Sequence, residues 1–129
     1  CGHYHSVALH NDGTIKTWGN NGNGQKYGSP TDRGYIAIAC GSFHSVALGN
    51  DGTVKTWGNN SMGQLLDSPI DNGYVKIACG WGHNIALKKN GTIKIWGSNE
   101  YNERYDSPSD NGYIEIACGK FHSIALKYT

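Results

Sequence analysis

Charge is scarce in this sequence: 16% of its 129 residues are Asp, Glu, Lys or Arg, and the formal net charge is +1. The eleven basic residues are scattered, with Lys88-Lys89 the one adjacent pair. Such a distribution offers no electrostatic footprint for nucleic acid or for an anionic membrane surface, and neither is expected as a partner. Long apolar runs are missing too. None approaches the roughly 18 residues of a membrane-spanning helix, and no charged segment followed by an apolar core marks a leader. A 3.6-residue apolar period is absent, which leaves no amphipathic helix to anchor a fold. The chain opens on Cys1 rather than Met, so it is expected to be a fragment, a processed product or the ordered part of something longer.

What is abundant is glycine, 19 residues, and the glycines fall at repeating places. Cys40-Gly41-Ser42-Phe43-His44-Ser45-Val46-Ala47-Leu48 returns as Cys1 to Leu9, Cys79 to Leu87 and Cys118 to Leu126, always 39 residues apart. A period in the range of about 20–50 residues signals a solenoid, a propeller or an array, built from units that cannot bury their own faces alone. The units run over approximately 1–39, 40–78 and 79–117, with a partial fourth at 118–129.

Within a unit, Tyr35-Ile36-Ala37-Ile38-Ala39-Cys40 alternates with period two. It predicts a strand with Ile36, Ile38 and Cys40 on one face, buried on both sides. His44 to Leu48 predicts a second strand. Asn50-Asp51-Gly52 predicts a tight hairpin turn, since glycine supplies the positive φ such turns require. Thr53 to Gly58 predicts a third strand, whose Trp57, like Trp18 and Trp96, is the expected wedge between neighbouring units. Gly63-Gln64-Leu65 fits either a short fourth strand or a turn. Each unit is therefore three or four short antiparallel strands, and radial stacking of such sheets gives a propeller.

The run Ala39-Cys40-Gly41-x-x-His44-Ser45-x-Ala47-Leu48-x-x-Asp51-Gly52-x-x-x-x-Trp57-Gly58-x-Asn60-x-x-Gly63-Gln64-Leu65 resembles the repeat of the RCC1 (regulator of chromosome condensation) family. The resemblance covers essentially the whole chain. It implies an all-β fold of four-stranded propeller blades, commonly seven to a ring, which 129 residues cannot close alone. About three blades and part of a fourth are expected, as a partial propeller or one completed by oligomerisation. In the third period the turn glycine is lost, where Asn102-Glu103-Arg104 replaces Gly-Gln-Leu. Family members that exchange nucleotide on a small GTPase use a loop insertion, and none is present here.

Cys-x-x-x-His occurs four times, at Cys1/His5, Cys40/His44, Cys79/His83 and Cys118/His122. Thiolate and imidazole are good metal ligands, and a Cys–His pair is also a nucleophile and its base. Recurrence in every unit argues instead for framework, because a metal or catalytic site gathers unlike residues once. Gly41, His44, His83, His122, Cys40, Cys79, Cys118 and the three tryptophans are accordingly assigned to structure. In the family this histidine is a framework residue, expected to bond backbone groups of the neighbouring blade. No cofactor and no catalysis are expected. Equivalent cysteines of successive units are too far apart for disulfides, and free thiols lean towards an intracellular, reducing compartment.

Recognition is expected where repeats differ. The residues after each Cys-Gly are His3-Tyr4, Ser42-Phe43, Trp81-Gly82 and Lys120-Phe121. They lie in one turn of each unit and should gather on one face, where aromatics beside a cation make good interface anchors. The long loops vary as well, at Gly22-Asn23 with Lys26-Tyr27, Ser61-Met62 with Leu65-Leu66, and Glu100-Tyr101 with Arg104-Tyr105. The reading is a non-catalytic protein-interaction scaffold that binds through loops on one face. Alternatives are a regulator of a GTPase, an enzyme inhibitor, or a structural protein that assembles through open blade edges.

Overall fold

The computed structural model describes residues 2–22, 24–99 and 107–128. Cys1, Asn23 and the segment Glu100–Asp106, with its Asn102-Glu103-Arg104 departure and its variable tyrosines, lie outside the described residues. Ten strands follow one another: β1 (His5–Leu9), β2 (Ile15–Gly19), β3 (Tyr35–Cys40), β4 (His44–Gly49), β5 (Val54–Gly58), β6 (Tyr74–Cys79), β7 (His83–Lys88), β8 (Ile93–Gly97), β9 (Tyr113–Cys118) and β10 (Ser123–Lys127). They form four antiparallel sheets, β1-β2, β3-β4-β5, β6-β7-β8 and β9-β10. Among the described residues none has a fourth strand. Gly63-Gln64-Leu65 is a turn, closed by Gly63 N–H to Asn60 O at 3.1 Å and Leu66 N–H to Gly63 O at 3.0 Å.

The hairpin prediction is met in detail. Gly52 has φ 82°, and Asp51 Oδ1 accepts from the Thr53 amide at 3.0 Å and its hydroxyl at 2.6 Å. Asp12 with Thr14 and Asn90 with Thr92 repeat the arrangement. A side-chain oxygen thus satisfies the turn's amide without help from the rest of the fold.

The core lies between sheets rather than within one. Trp57 packs against Val7 of the preceding sheet and Ala47 of its own, and Trp96 packs against Val46 and Leu48. Ile85 and Leu87 meet Ile116 at the third interface. β4, flanked on both sides, is buried along its whole length. Trp57 and Trp96 are 1% and 0% exposed, whereas Trp18, on the first sheet described, is 47% exposed. Among the described residues the β9-β10 sheet has two strands, and a cavity of about 260 Å³ opens between Ile85, Ile95, Tyr113 and Ala125. The equivalent places in the two earlier interfaces hold Trp57 and Trp96.

One face assignment is corrected. Ile36 does not share a buried face with Ile38 and Cys40: a bulge between Tyr35 and Ala37 turns it out, and it is 58% exposed. Val75, at the same bulge in β6, is 45% exposed. The extra residue goes unpaired and shifts the alternation for whatever precedes it. Beyond the bulge the expected faces hold, with Ile38 and Cys40 packed towards the preceding sheet and Ala37 towards the next.

Candidate functional site

The Cys-Gly-x-x-His stretch is the turn from the first to the second strand of each sheet, and hydrogen bonds stitch its copies into one continuous rim. Within a turn, Gly41 N–H donates to His44 O at 2.9 Å, as do Gly2, Gly80 and Gly119 in their own units. Between turns, His3 N–H donates to Ser42 O at 3.0 Å, Ser42 N–H to Trp81 O at 3.2 Å, and Trp81 N–H to Lys120 O at 3.1 Å. Glycine is required here for space rather than for φ. A Cβ on Gly41 would run into the His44 ring and come within 2.8 Å of the Gly80 carbonyl oxygen.

Beneath the rim the histidines form a second inter-sheet ladder. His5 Nε2 lies 2.9 Å from Ser45 Oγ, His44 Nε2 2.7 Å from Asn84 Oδ1, and His83 Nε2 2.9 Å from Ser123 Oγ. The neighbouring blade is the partner, as the resemblance implied, but the group reached is a side chain rather than the backbone. Asn84 can only accept at Oδ1, so His44 carries its proton on Nε2. Asn84 Nδ2 in turn donates to Gln64 O at 2.9 Å, and Cys79 Sγ lies 3.3 Å from Oδ1. Cys40 and Cys118 contact Ser45 Oγ at 3.7 Å and Ser123 Oγ at 3.6 Å. These three cysteines are free thiols.

The electrostatics run opposite to those of a nucleophilic pair. Burial holds His44 down at about 4, and burial pushes the Cys79 and Cys118 thiols up. An activated thiol needs the reverse, a depressed cysteine beside a charged imidazole. Among the described residues no group of three His, Cys, Asp or Glu side chains converges as metal ligands.

Side chains on the rim fall into two aromatic groups. His3 stacks on Tyr4 with ring centroids 4.7 Å apart and on Phe43 at 5.9 Å, with Tyr4 6.3 Å from Phe43. Farther along, Trp81 meets Phe121 edge-on at 5.9 Å, and Lys120 Nζ lies 5.6 Å from the Trp81 ring and 5.2 Å from that of Phe121. Ser42 is buried, its hydroxyl 3.3 Å from His3 Nδ1, and it supports the first group rather than facing outward. Tyr4 is 59% exposed, while Phe43, Trp81 and Phe121 are half-buried. Lys120 carries the one fixed charge in these four turns, and no carboxylate belongs to them.

The burial of two loop residues escaped the sequence reading. Gln25 and Gln64 are 0% and 1% exposed although both sit in the long loops. Gln64 accepts from the Met62 amide at 2.9 Å and donates to Asn59 Oδ1 at 3.2 Å, which ties the loop down behind the rim. The repeated Gly-Gln dipeptide was the available signal. The loops end on the next sheet, where Gly58 N–H donates to Tyr27 O at 2.9 Å and Gly97 N–H to Leu66 O at 3.0 Å.

Three segments, residues 1–25, 35–64 and 74–103, match the family model described as Regulator of chromosome condensation (RCC1) repeat. No curated protein sequence matches the chain significantly. Among solved structures, the ectodomain of the Physcomitrella patens receptor kinase CR4 is similar with a TM-score of 0.77 at 18% identity, over 100% of this chain and 35% of that one. Prp20p from Saccharomyces cerevisiae is similar with a TM-score of 0.73 at 20% identity, over 100% of this chain and 43% of its own. Yeast RCC1 (Prp20) bound to Kap60 gives 0.74 at 21% identity, over 100% and 42%. The chain thus spans less than half the length of each, and the likeness is one of propeller fold.

Proposed function

Because the chain belongs to the RCC1 repeat family, we propose that it is a non-catalytic protein-interaction scaffold whose partner docks on the rim made by His3, Tyr4, Phe43, Trp81, Lys120 and Phe121. The observation that supports this most directly is the pairing of those rings across units: His3 with Phe43 and Trp81 with Phe121 are contacts between different repeats. Framework positions are dictated by packing, whereas these positions differ from repeat to repeat and still make an ordered aromatic surface. Rigid, partly desolvated rings beside one cation are the composition of interface hot spots. The rim favours a partner with an apolar projection and a carboxylate placed to meet Lys120. Solved proteins of this fold also bind proteins: yeast RCC1 (Prp20) was solved with Kap60, and Prp20p is described by its binding to Gsp1p and histones.

The test is capture of protein partners from source-cell extract on immobilised chain, compared with a variant carrying Tyr4→Ser, Phe43→Ser, Trp81→Ser, Lys120→Ser and Phe121→Ser together. Partners retained by the native rim and lost by the variant, with its circular dichroism unchanged, support the reading. Equal capture by both would place the binding surface elsewhere.

A further inference from the structure

At the end of the sheets away from the aromatic rim, an Asp-x-Gly-Tyr run leads into β3, β6 and β9. In each, the tyrosine hydroxyl donates to the aspartate Oδ1 at 2.9 Å: Tyr35 to Asp32, Tyr74 to Asp71 and Tyr113 to Asp110. Two of these pairs hold an ammonium. Lys88 Nζ bonds Asp71 Oδ2 and lies 5.2 Å from the centre of the Tyr74 ring. Lys127 Nζ bonds Asp110 Oδ2 at 2.6 Å and lies 5.2 Å from the centre of the Tyr113 ring. Each lysine stands directly across the strand pair from its tyrosine, and the residue across from Tyr35 is Gly49. A carboxylate and an aromatic ring, the two groups that hold an ammonium elsewhere in the chain, are therefore present at β3 without one.

The charge differs in the same sense. The hairpin turn of the β6-β7-β8 sheet carries the neutral Asn90, and that of the β3-β4-β5 sheet carries Asp51 at the same place. One sheet brings a carboxylate and an ammonium together; the other brings two carboxylates and no ammonium. Among the described residues neither Asp32 nor Asp51 forms an ion pair. Burial, the Asp32 hydrogen bond and the charges of both aspartates push the Tyr35 hydroxyl up to about 12, so both carboxylates act on one ring. Asp32 is exposed and Tyr35 half-buried. A cleft of about 300 Å³ reaches Gly49 and Asp51; Lys89 of the next sheet lines it too, without an ion pair to either aspartate. The β3-β4-β5 sheet packs against a sheet on each side, so its place is an interior one in the stack.

We propose that Asp32, Tyr35 and Asp51 form a binding site for a primary ammonium, which a partner protein fills with a lysine side chain laid along Gly49. Lysine fits better than arginine, because both sister places hold a compact point charge rather than a planar fork. The site lies at the opposite end of β4 from His44 and does not depend on the aromatic rim.

The probe is Nα-acetyl-lysine methylamide, followed through the amide chemical shifts of the isotope-labelled chain. A single exposed ion pair binds weakly and is screened by salt, so the titration runs from tens to hundreds of millimolar at constant ionic strength. The amides of Tyr35, Gly49 and Asp51 are expected to move along a saturating curve while those of Tyr74 and Tyr113 stay still. The neutral norleucine counterpart is expected to move none of them. Methylammonium, which has the charge but not the stem, is expected to bind more weakly than the lysine probe. Asp32→Asn, at an exposed position, is expected to weaken binding about two- to fivefold with unchanged circular dichroism. Lys88→Gly with Asn90→Asp gives the next sheet the residues of this one, and is expected to make Tyr74 respond as well. A silent Tyr35, an equal response to the norleucine compound, or an Asp32→Asn chain that binds like the native one overturns the proposal. Equal binding of methylammonium overturns the assignment to a lysine side chain, and a folded double variant whose Tyr74 stays still overturns the site.

Discussion

His44 Nε2 donates to Asn84 Oδ1 across 2.7 Å, forty residues along the chain and one sheet over. Both side chains are 0% exposed. Asn84 also receives Cys79 and donates to Gln64 O, so one amide side chain joins two sheets and a loop. Asn84→Ala strands a buried donor on His44 and a buried carbonyl on Gln64, each costing about 1–3 kcal/mol. Asn84→Ser restores the group found at Ser45 and Ser123 and loses only the bond to Gln64. Urea denaturation is therefore expected to rank native, then Asn84→Ser, then Asn84→Ala, with the alanine variant about 2–4 kcal/mol below native.

The same histidine sets an acid limit. Burial is the main cause that lowers His44 from 6.5 to about 4; the Asn84 bond opposes it and the neighbouring His5 and His83 add to it. His5 is lowered as well, chiefly by burial. Above pH 6.5 both folded and unfolded chains keep these rings neutral, and the full stability is present. Between 6.5 and about 4 the unfolded chain takes up protons that the folded chain refuses, so stability falls with pH. The loss from His44 alone is on the order of 3 kcal/mol by pH 4. The lowered carboxyls of Asp51, Asp71, Asp110 and Glu115 add their losses only as pH falls towards and below their unfolded values of 3.8 and 4.5. Chemical denaturation at pH 7.5, 6 and 5 reads the histidines, and His44→Gln is expected to flatten the slope.

Strand and turn positions were legible because they obey short-range rules. Period-two alternation, Asn-Asp-Gly turns and the recurrence of Cys-Gly-x-x-His need no knowledge of what packs on what. The exposure of Ile36 was not legible, since a bulge shifts register through backbone pairing and leaves Tyr-Ile-Ala-Ile reading as regular alternation. The histidine's partner was hidden by distance, although a repeat of 39 with Ser6, Ser45, Asn84 and Ser123 all after the histidine pointed to it. The variable pairs marked the rim correctly as turns. That His3 would stack on Phe43, and Trp81 on Phe121, depends on the rise from one unit to the next, which spacing alone does not give.

Three equivalent tryptophans provide an internal comparison of burial. Trp57→Ala and Trp96→Ala empty interfaces at which the ring is 1% or 0% exposed, and each is expected to cost about 3–5 kcal/mol. Trp18→Ala removes a ring that is 47% exposed, and a change within about 1 kcal/mol is expected in dilute solution. Thermal melts of the three variants at a few micromolar check this. A Trp18→Ala loss matching the other two would mean that its ring is buried in the dissolved protein.

Gly41 and His44 are coupled by space rather than by a bond. A Cβ at Gly41 meets the His44 ring and, at 2.8 Å, the Gly80 carbonyl oxygen. The ring cannot swing away while Nε2 is held by Asn84, so the strain must be taken up by the turn. Gly41→Ala is expected to cost about 1–3 kcal/mol. His44→Ala costs more through the lost bond and the cavity. Once the ring is gone, however, the added methyl has only the carbonyl to clear. In the double variant the second change is therefore expected to cost less than it does alone, giving a favourable coupling of about 1 kcal/mol in a double-mutant cycle read by urea denaturation. Additive losses would mean that the Gly80 carbonyl, and not the ring, is what demands glycine at the head of each repeat.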